Sequence, residues 1–495
     1  MRLTDLMEGN LAPVLPAPTA DPDIRGLAAD SRQVEPGFLF AALPGSRADG
    51  KTFIDDAVGR GAVALLIDDP LVLPDLHRRH PQIPVVVDSN ARRRLALMAA
   101  EFYAPQPKTL VAVTGTNGKT SVVSFTRQIW QRLGQRAASL GTLGIVAPGL
   151  ERPGSLTTPD PVTLHRTLRD LARRGVERVA LEASSHGLDQ YRLDGLDVAA
   201  AAFTNLTHDH LDYHRTMADY LRAKARLFDQ VMAPGRAAVL NADAPESAAL
   251  AEICRERGHR ILSFGALATA DLRLVSARPT AQGQELELRV EGARRALFLP
   301  LVGRFQAMNA LAAMGLALAT GATPDEALSA LAQLTGVPGR MQHVASHANG
   351  APIFVDYAHT PDALENVLQA LRPHTRGKLS VVFGAGGDRD PAKRPVMGAI
   401  AAKLADRVIV TDDNPRSEDP AAIRRAVLAS APEARDIGDR AEAIATAIQE
   451  LKREDLLVIA GKGHERGQII NGVTHLFDDA EVARAAVVAI GRGRR

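Results

Sequence analysis

One cysteine, Cys254, stands among the 495 residues. That excludes an intramolecular disulfide and any metal site made of several thiolates. Aromatic side chains make up only 4% of the chain, with a single tryptophan, so stacking platforms for single-stranded nucleic acid are not expected. Charge of one sign is lacking too: 59 basic against 57 acidic residues leave a formal charge of +2. Such a balance gives no electrostatic footprint for nucleic acid or an anionic membrane. No apolar run approaches the length of a membrane span. The start, "MRLTDLMEGNLAPVLPAP", carries acids where a signal peptide needs a basic end and a clean apolar stretch. These absences predict a soluble cytoplasmic protein with neither membrane insertion nor nucleic acid as partner.

What is present is ordinary for a globular chain: 46% hydrophobic and 23% charged residues. The length exceeds what one core fills, so several domains are expected. Short β-branched runs alternate with helical patterns, which predicts α/β architecture with mainly parallel sheets. The first block has strand runs "FLFAAL", "AVALLID" and "PVVVD" and a helix "ARRRLALMAAEFY", and ends at the proline-punctuated "APQPK". A second opens on "TLVAVTG" and continues through "RVALEAS", "VAAAAFTNL" and "AAVLNAD". Its late part, near 270–300, alternates like a small antiparallel appendage. A third repeats the alternation in "PIFVDYA", "LSVVFG", "RVIVTDD" and "LLVIAGKG", a doubly wound pattern whose ligands sit beyond the strands' carboxyl ends. Cys254, in the predicted helix "AEICRERGHR", reads as a core residue.

"VAVTGTNGKTS" (111–121) carries the most chemistry. The usual phosphate loop, G-x-x-x-x-G-K-[ST], needs a glycine where Val113 stands. The strand before it and the helix pattern after it are nevertheless those of a phosphate site. Gly115 and Gly118, with Thr116 and Asn117 between them, would let backbone N–H groups curl around phosphate oxygens. Lys119 would reach the terminal phosphates, and Thr120 or Ser121 would offer a hydroxyl to Mg²⁺. Downstream, Glu182 ends a strand run, and His208, Asp209, His210, Asp212 and His214 crowd after another. That cluster suits either a divalent cation or a solvated loop. Tyr220 and Lys224 lie four apart on a helical pattern and share a face. By composition alone, Lys224 is a surface lysine.

Taken in order, "TGTNGKTS", "LEASSHGL", "TNLTHDHLDYH", "YLRAKARLF", "GRFQAMNALAA", "PGRM", "VDYAHTPDAL", "GAGGDRD", "DDNPRSED" and "GKGHE" resemble the Mur ligase family of ATP-dependent amino-acid-adding enzymes. The likeness spans nearly the whole chain and includes the shortened loop. It implies three domains: a UDP-binding domain at 1–107, a central P-loop ATPase domain with a parallel sheet at 108–340, and a Rossmann-like amino-acid-binding domain at 341–495. Within the family the motifs match the branch that adds meso-diaminopimelate to UDP-MurNAc-L-Ala-D-Glu, with ATP as co-substrate and Mg²⁺ as cofactor, in peptidoglycan precursor synthesis. A monomer is expected.

Residue by residue, the resemblance assigns Ala29, Ser31, Ser46, Arg47 and Ala48 to the UDP-sugar, although Ser46-Arg47 replaces the His-Gln of some relatives. Thr157, Thr158, Ser184, Gln190 and Arg192 would hold the acceptor's peptide, with Arg192 facing its anion. Lys224 would be N-carboxylated and, with Glu182 and His210, would hold Mg²⁺. Lys119, His210 and Lys224 are the catalytic candidates. Asn309, Arg340 and Asp356 match positions near ATP, with Tyr357 and His359 beside them. Arg389, Asp413, Asn414, Pro415, Arg416, Gly461 and Glu465 would form the diaminopimelate pocket. The two arginines would pair with the distal carboxylate and Glu465 with the distal ammonium. The nearest alternatives are a lysine-adding relative and a folylpolyglutamate synthetase-like ligase; a P-loop kinase or a nucleotide-dependent switch is more remote.

Overall fold

The computed structural model describes residues 1–7, 20–45, 49–154, 156–207, 209, 211–280 and 282–492. It divides into two compact units, one of residues 1–264 with 312–323 and one of 265–311 with 324–495. Among the described residues no helix is long and apolar enough to cross a membrane.

The first unit contains two sheets. Strands β1 (Gly26–Ala28), β2 (Phe38–Ala41), β3 (Ala62–Ile67) and β4 (Val85–Val87) form an all-parallel sheet in that order. Side chains alternate across a strand, so a continuous apolar run feeds two cores. In β3, Ala64 and Leu66 join Leu39 and Met98 on one face, while Leu65 and Ile67 join Phe40 and Leu76 on the other.

The second sheet of this unit is built from β5 (Thr109–Thr114), β6 (Ala137–Gly141), β7 (Gly144–Ala147), β8 (Leu150–Arg152), β9 (Arg178–Glu182), β10 (Val198–Phe203), β11 (Ala237–Asn241) and β12 (Arg260–Gly265). Their spatial order is β12-β11-β10-β5-β9-β6-β7-β8. Strand β5 is flanked by parallel β10 and β9, with Thr114 opposite Phe203 and Val113 opposite Glu182. The segments that follow these three strands therefore leave the sheet side by side. Cys254 is buried in the core beneath, as expected, and burial pushes its thiol up to about 12.

In the second unit, β13 (Leu272–Thr280), β14 (Gly283–Val290) and β15 (Ala293–Leu299) form the antiparallel appendage anticipated near 270–300. The rest is a sheet of β16 (Gln342–Ser346), β17 (Pro352–Asp356), β18 (Leu379–Phe383), β19 (Arg407–Val410), β20 (Arg435–Asp436) and β21 (Leu456–Ala460), in the order β16-β17-β21-β18-β19-β20. All neighbours are parallel except the edge strand β16. A hairpin, β22 (Gly467–Ile470) and β23 (Val473–Leu476), follows.

An ion pair with no exposure at all, Arg440–Asp479, locks the carboxyl ends of this sheet. Arg440 Nε and Nη2 each lie 2.7 Å from an Asp479 oxygen, and Nη2 also donates to the Ala460 carbonyl at 3.0 Å. Arg440→Met would leave Asp479 charged and unpaired. The expected loss, by denaturant unfolding followed by circular dichroism, is about 3–5 kcal/mol. A loss below about 1 kcal/mol would mean that the Asp479 carboxylate finds water or a proton instead.

Candidate functional site

Gly118 stands at φ +87° before the helix Lys119–Arg132, so the chain turns straight from β5 into a helix N-terminus. Gly115 has φ +144°, and a Cβ there would overlap the Thr204 hydroxyl. The loop is tied to the segment after β10. Thr116 N donates to the Asn205 carbonyl at 2.9 Å, Asn117 N to Asn205 Oδ1 at 2.9 Å, and Thr204 Oγ1 to the Asn117 carbonyl at 2.6 Å. Thr204 and Asn205 belong to the motif "TNLTHDHLDYH", whose histidines and aspartates draw the eye first. Their position one and two residues past the end of β10 is the available signal.

Two lysines meet at one oxygen. Lys119 Nζ and Lys224 Nζ each donate to the Gly115 carbonyl at 2.9 Å, and Lys119 also reaches the Thr116 carbonyl at 2.8 Å. Lys224 is delivered by the helix Met217–Arg226, whose N-cap Thr216 accepts from Asp219 N. Four residues before it, Tyr220 lies with its ring centroid 4.2 Å from Lys224 Nζ and its hydroxyl 3.2 Å from Thr116 Oγ1. Lys224 is 1% exposed, which overturns the surface-lysine reading from composition. Burial, reinforced by the Lys119 charge, holds its amine well below the usual lysine range.

Glu182, 2% exposed at the end of β9, accepts from Thr142 N at 2.8 Å and from Thr142 Oγ1 at 3.1 Å. The acceptor-peptide candidates gather around it. Thr157 Oγ1 lies 3.1 Å from Thr142 Oγ1, and Thr158 Oγ1 donates to the Glu182 carbonyl at 2.8 Å. Ser184 accepts from Gly187 N as a helix cap. Arg192 donates to the Thr158 carbonyl at 2.6 Å and to Gln190 Oε1 at 2.7 Å. Thr142, which ties Thr157 to Glu182, gave no sequence signal. His208 and His210 lie outside the described residues, as do Ser46, Arg47 and Ala48. Ala29 and Ser31 share the turn after β1, capped by Asp30.

In the second unit, Asp356 ends β17 and accepts from Met341 N at 2.6 Å and Ala358 N at 2.9 Å. Burial raises its carboxyl above the ordinary range. Arg340 lies over the Tyr357 ring at 4.8 Å, and His359 Nδ1 is 2.8 Å from the Tyr357 carbonyl. Asn309 pairs with Gln306 in its own helix, Nδ2 to Oε1 at 3.1 Å.

The residues expected to recognise diaminopimelate converge at the carboxyl ends of β18, β19 and β21. A Cβ on Gly386 would lie 2.9 Å from Arg416 Nη1 and 3.9 Å from Arg389 Cγ, so both arginines border one bare backbone position. Gly387 takes the Pro415 carbonyl where a side chain would stand. Arg416, at φ +53°, donates from Nη1 to the Gly387 carbonyl at 2.6 Å. Gly461 lies against Asp413, and Asn414 Nδ2 donates to Glu465 Oε2 at 2.9 Å.

Three family models match in succession: "Mur ligase family, catalytic domain" over 23–103, "Mur ligase middle domain" over 113–317, and "Mur ligase, glutamate ligase domain" over 339–463. A UDP-N-acetylmuramoyl-L-alanyl-D-glutamate–2,6-diaminopimelate ligase from Bradyrhizobium diazoefficiens is 52% identical over 99% of both chains. The chain belongs to the Mur ligase family. A Caulobacter vibrioides ligase of the same name is also 52% identical, over 98% of both chains. A solved structure of a ligase so named has 35% identity and a TM-score of 0.72, over 94% of this chain and 95% of that one. The MurF ligase from Thermotoga maritima in complex with ADP shares the fold at 19% identity and a TM-score of 0.62, over 95% of this chain and 99% of that one. The Mur ligase fold, three α/β domains with parallel sheets, is the architecture expected from the motifs.

Proposed function

We propose that this Mur ligase is the ATP-dependent enzyme that joins meso-diaminopimelate to the D-glutamyl γ-carboxylate of UDP-MurNAc-L-Ala-D-Glu, releasing ADP and phosphate. It would act as a monomer in the cytoplasm, where ATP and UDP-linked precursors are found. The observation that carries the reading is the pocket of Arg389, Asp413, Asn414, Arg416, Gly461 and Glu465. Two guanidinium groups and a carboxylate suit a distal amino-acid centre, and relatives at 52% identity bear the corresponding name.

A carboxylate is a poor electrophile, so activation comes first. Its oxygen attacks the γ-phosphate of ATP, giving an acyl phosphate and ADP. The amine of diaminopimelate then attacks the acyl carbon and phosphate leaves. Lys119 would exchange its loop carbonyls for phosphate oxygens and screen two approaching anions. Arg192, Gln190, Thr157 and Thr158 would hold the acceptor so that its carboxylate faces the loop. Asn309, Arg340 and Asp356 are proposed on the nucleotide side.

Glu182 is the carboxylate donor proposed for Mg²⁺. Glu182 accepts two bonds from Thr142 on a group with about four lone-pair sites. Among the described residues no three His, Cys, Asp or Glu side chains cluster. A carbamate formed on the neutral Lys224 amine, with His210, would complete an oxygen-rich set; Thr120 or Ser121 would serve the nucleotide's cation. When bound, Mg²⁺ supplies charge screening between the phosphate and the attacking carboxylate.

The test is phosphate release from ATP and Mg²⁺ with UDP-MurNAc-L-Ala-D-Glu, supplying meso-diaminopimelate or L-lysine in parallel. Turnover with diaminopimelate alone is expected. Turnover with lysine would retain the ligase and discard the pocket assignment; silence with both would discard the function.

A further inference from the structure

Lys462 is the least accessible charged side chain of the amino-acid pocket, at 0% exposure. Its Nζ donates to Asn414 Oδ1 at 3.0 Å and to Glu465 Oε2 at 3.3 Å, and Asp413 Oδ1 lies 3.7 Å away. It projects from the loop after β21 to a loop after β19, although β18 lies between those strands. A long side chain is needed to cross that strand, and a buried ammonium needs anionic or dipolar acceptors on arrival.

The acceptors it has chosen are informative. Arg440, the other fully buried cation here, donates to the backbone carbonyls of Ala460 and, at 3.4 Å, Asp412, so it fastens the two loops as chain. Among the described residues Lys462 Nζ donates only to side chains, and these are the recognition groups themselves. Asn414 Oδ1 also receives Ile469 N at 3.0 Å, which fixes the amide with its oxygen toward the two donors and its NH₂ toward Glu465. Glu465 Oε2 thus takes both Asn414 Nδ2 and Lys462 Nζ. Among the described residues Oε1 accepts no hydrogen bond.

We infer that Lys462 is a positioning residue for diaminopimelate specificity: its ammonium orients Asn414 and Glu465 so that Glu465 Oε1 meets the distal ammonium of the incoming amino acid. The inference rests on the proposed function and deepens it. A purely structural lysine would matter equally for every substrate, whereas one acting through Glu465 weakens one substrate only.

Steady-state kinetics on the full chain separate these. Lys462→Met is expected to raise the KM for diaminopimelate at least tenfold while the KM for ATP changes less than twofold. Glu465→Gln alone is expected to raise the same KM, and the double variant Lys462→Met/Glu465→Gln to be no weaker than the weaker single, because both remove one contact. Should Lys462→Met not fold, Lys462→Gln, which keeps a donor without the charge, is expected to raise the diaminopimelate KM severalfold. An unchanged KM, equal losses for diaminopimelate and ATP, or losses that multiply in the double variant would each overturn the role. Wild-type turnover with diaminopimelate is the control. Its absence would remove the proposed function along with the inference, and its presence beside an unaffected variant would remove only the inference.

Discussion

Lys224→Ala is expected to lower turnover by about a hundred- to a thousandfold, the scale of losing several kcal/mol of charge stabilisation at the phosphates. The expectation comes from the state of the amine. A lysine at 1% exposure, beside Lys119 and with one carbonyl as its bond partner, is held toward the neutral form. A neutral amine is the form that adds CO₂: nitrogen bonds to carbon, a proton leaves, and the side chain becomes an anion. Carboxylation would also place an anion beside the Lys119 ammonium, where a second amine now shares the Gly115 carbonyl. Short carboxylates added to Lys224→Ala should therefore restore part of the activity by supplying the missing oxygens. A ¹³C carbamate resonance in wild-type protein under labelled CO₂, absent from the variant, would report the modification without relying on turnover. Near wild-type activity in Lys224→Ala, with no response to carboxylates, would exclude the role.

Much of this site was legible because its parts obey local rules. A buried parallel strand is a short continuous apolar run, so "TLVAVTG" and "RVALEAS" matched β5 and β9 to within a residue or two at their ends. Two residues four apart on a helix share a face, so the spacing of Tyr220 and Lys224 already pairs them. What was hidden is what depends on strand order. Local pattern does not say that β10 lies beside β5 or β6 beside β9, and on those neighbours rest the anchoring of the loop by Thr204 and Asn205 and of Glu182 by Thr142. The depth of Lys224 was hidden for the same reason, since composition prices a lysine as surface. Lys462 gives no such local signal, because Asn414 and Asp413 lie 48 and 49 residues before it, across a strand that neither loop belongs to.

Arg416→Lys is expected to raise the KM for diaminopimelate by roughly one to two orders of magnitude, about 1–3 kcal/mol, with the KM for ATP nearly unchanged. The structure explains why the nominally conservative change is not conservative. Arg416 spends one donor on the Gly387 carbonyl at 2.6 Å, and its backbone is fastened on both sides, N to the Ile469 carbonyl at 3.0 Å and carbonyl to Asn471 N at 2.6 Å. The other guanidinium nitrogens would then be available to a carboxylate as a fork, with Arg389 also beside Gly386. Lysine offers a point charge that cannot hold Gly387 and a bidentate carboxylate together. The same geometry bears on discrimination. L-Lysine brings no distal carboxylate, so it would leave the fork desolvated and unpaired, and sites of that kind reject the deficient analogue by about 10⁴–10⁵. Arg416→Lys should narrow that ratio by lowering kcat/KM for diaminopimelate, with little change for lysine. Parallel losses for both amino acids would place Arg416 outside recognition of the distal carboxylate, and would turn attention to Arg389 as its sole partner.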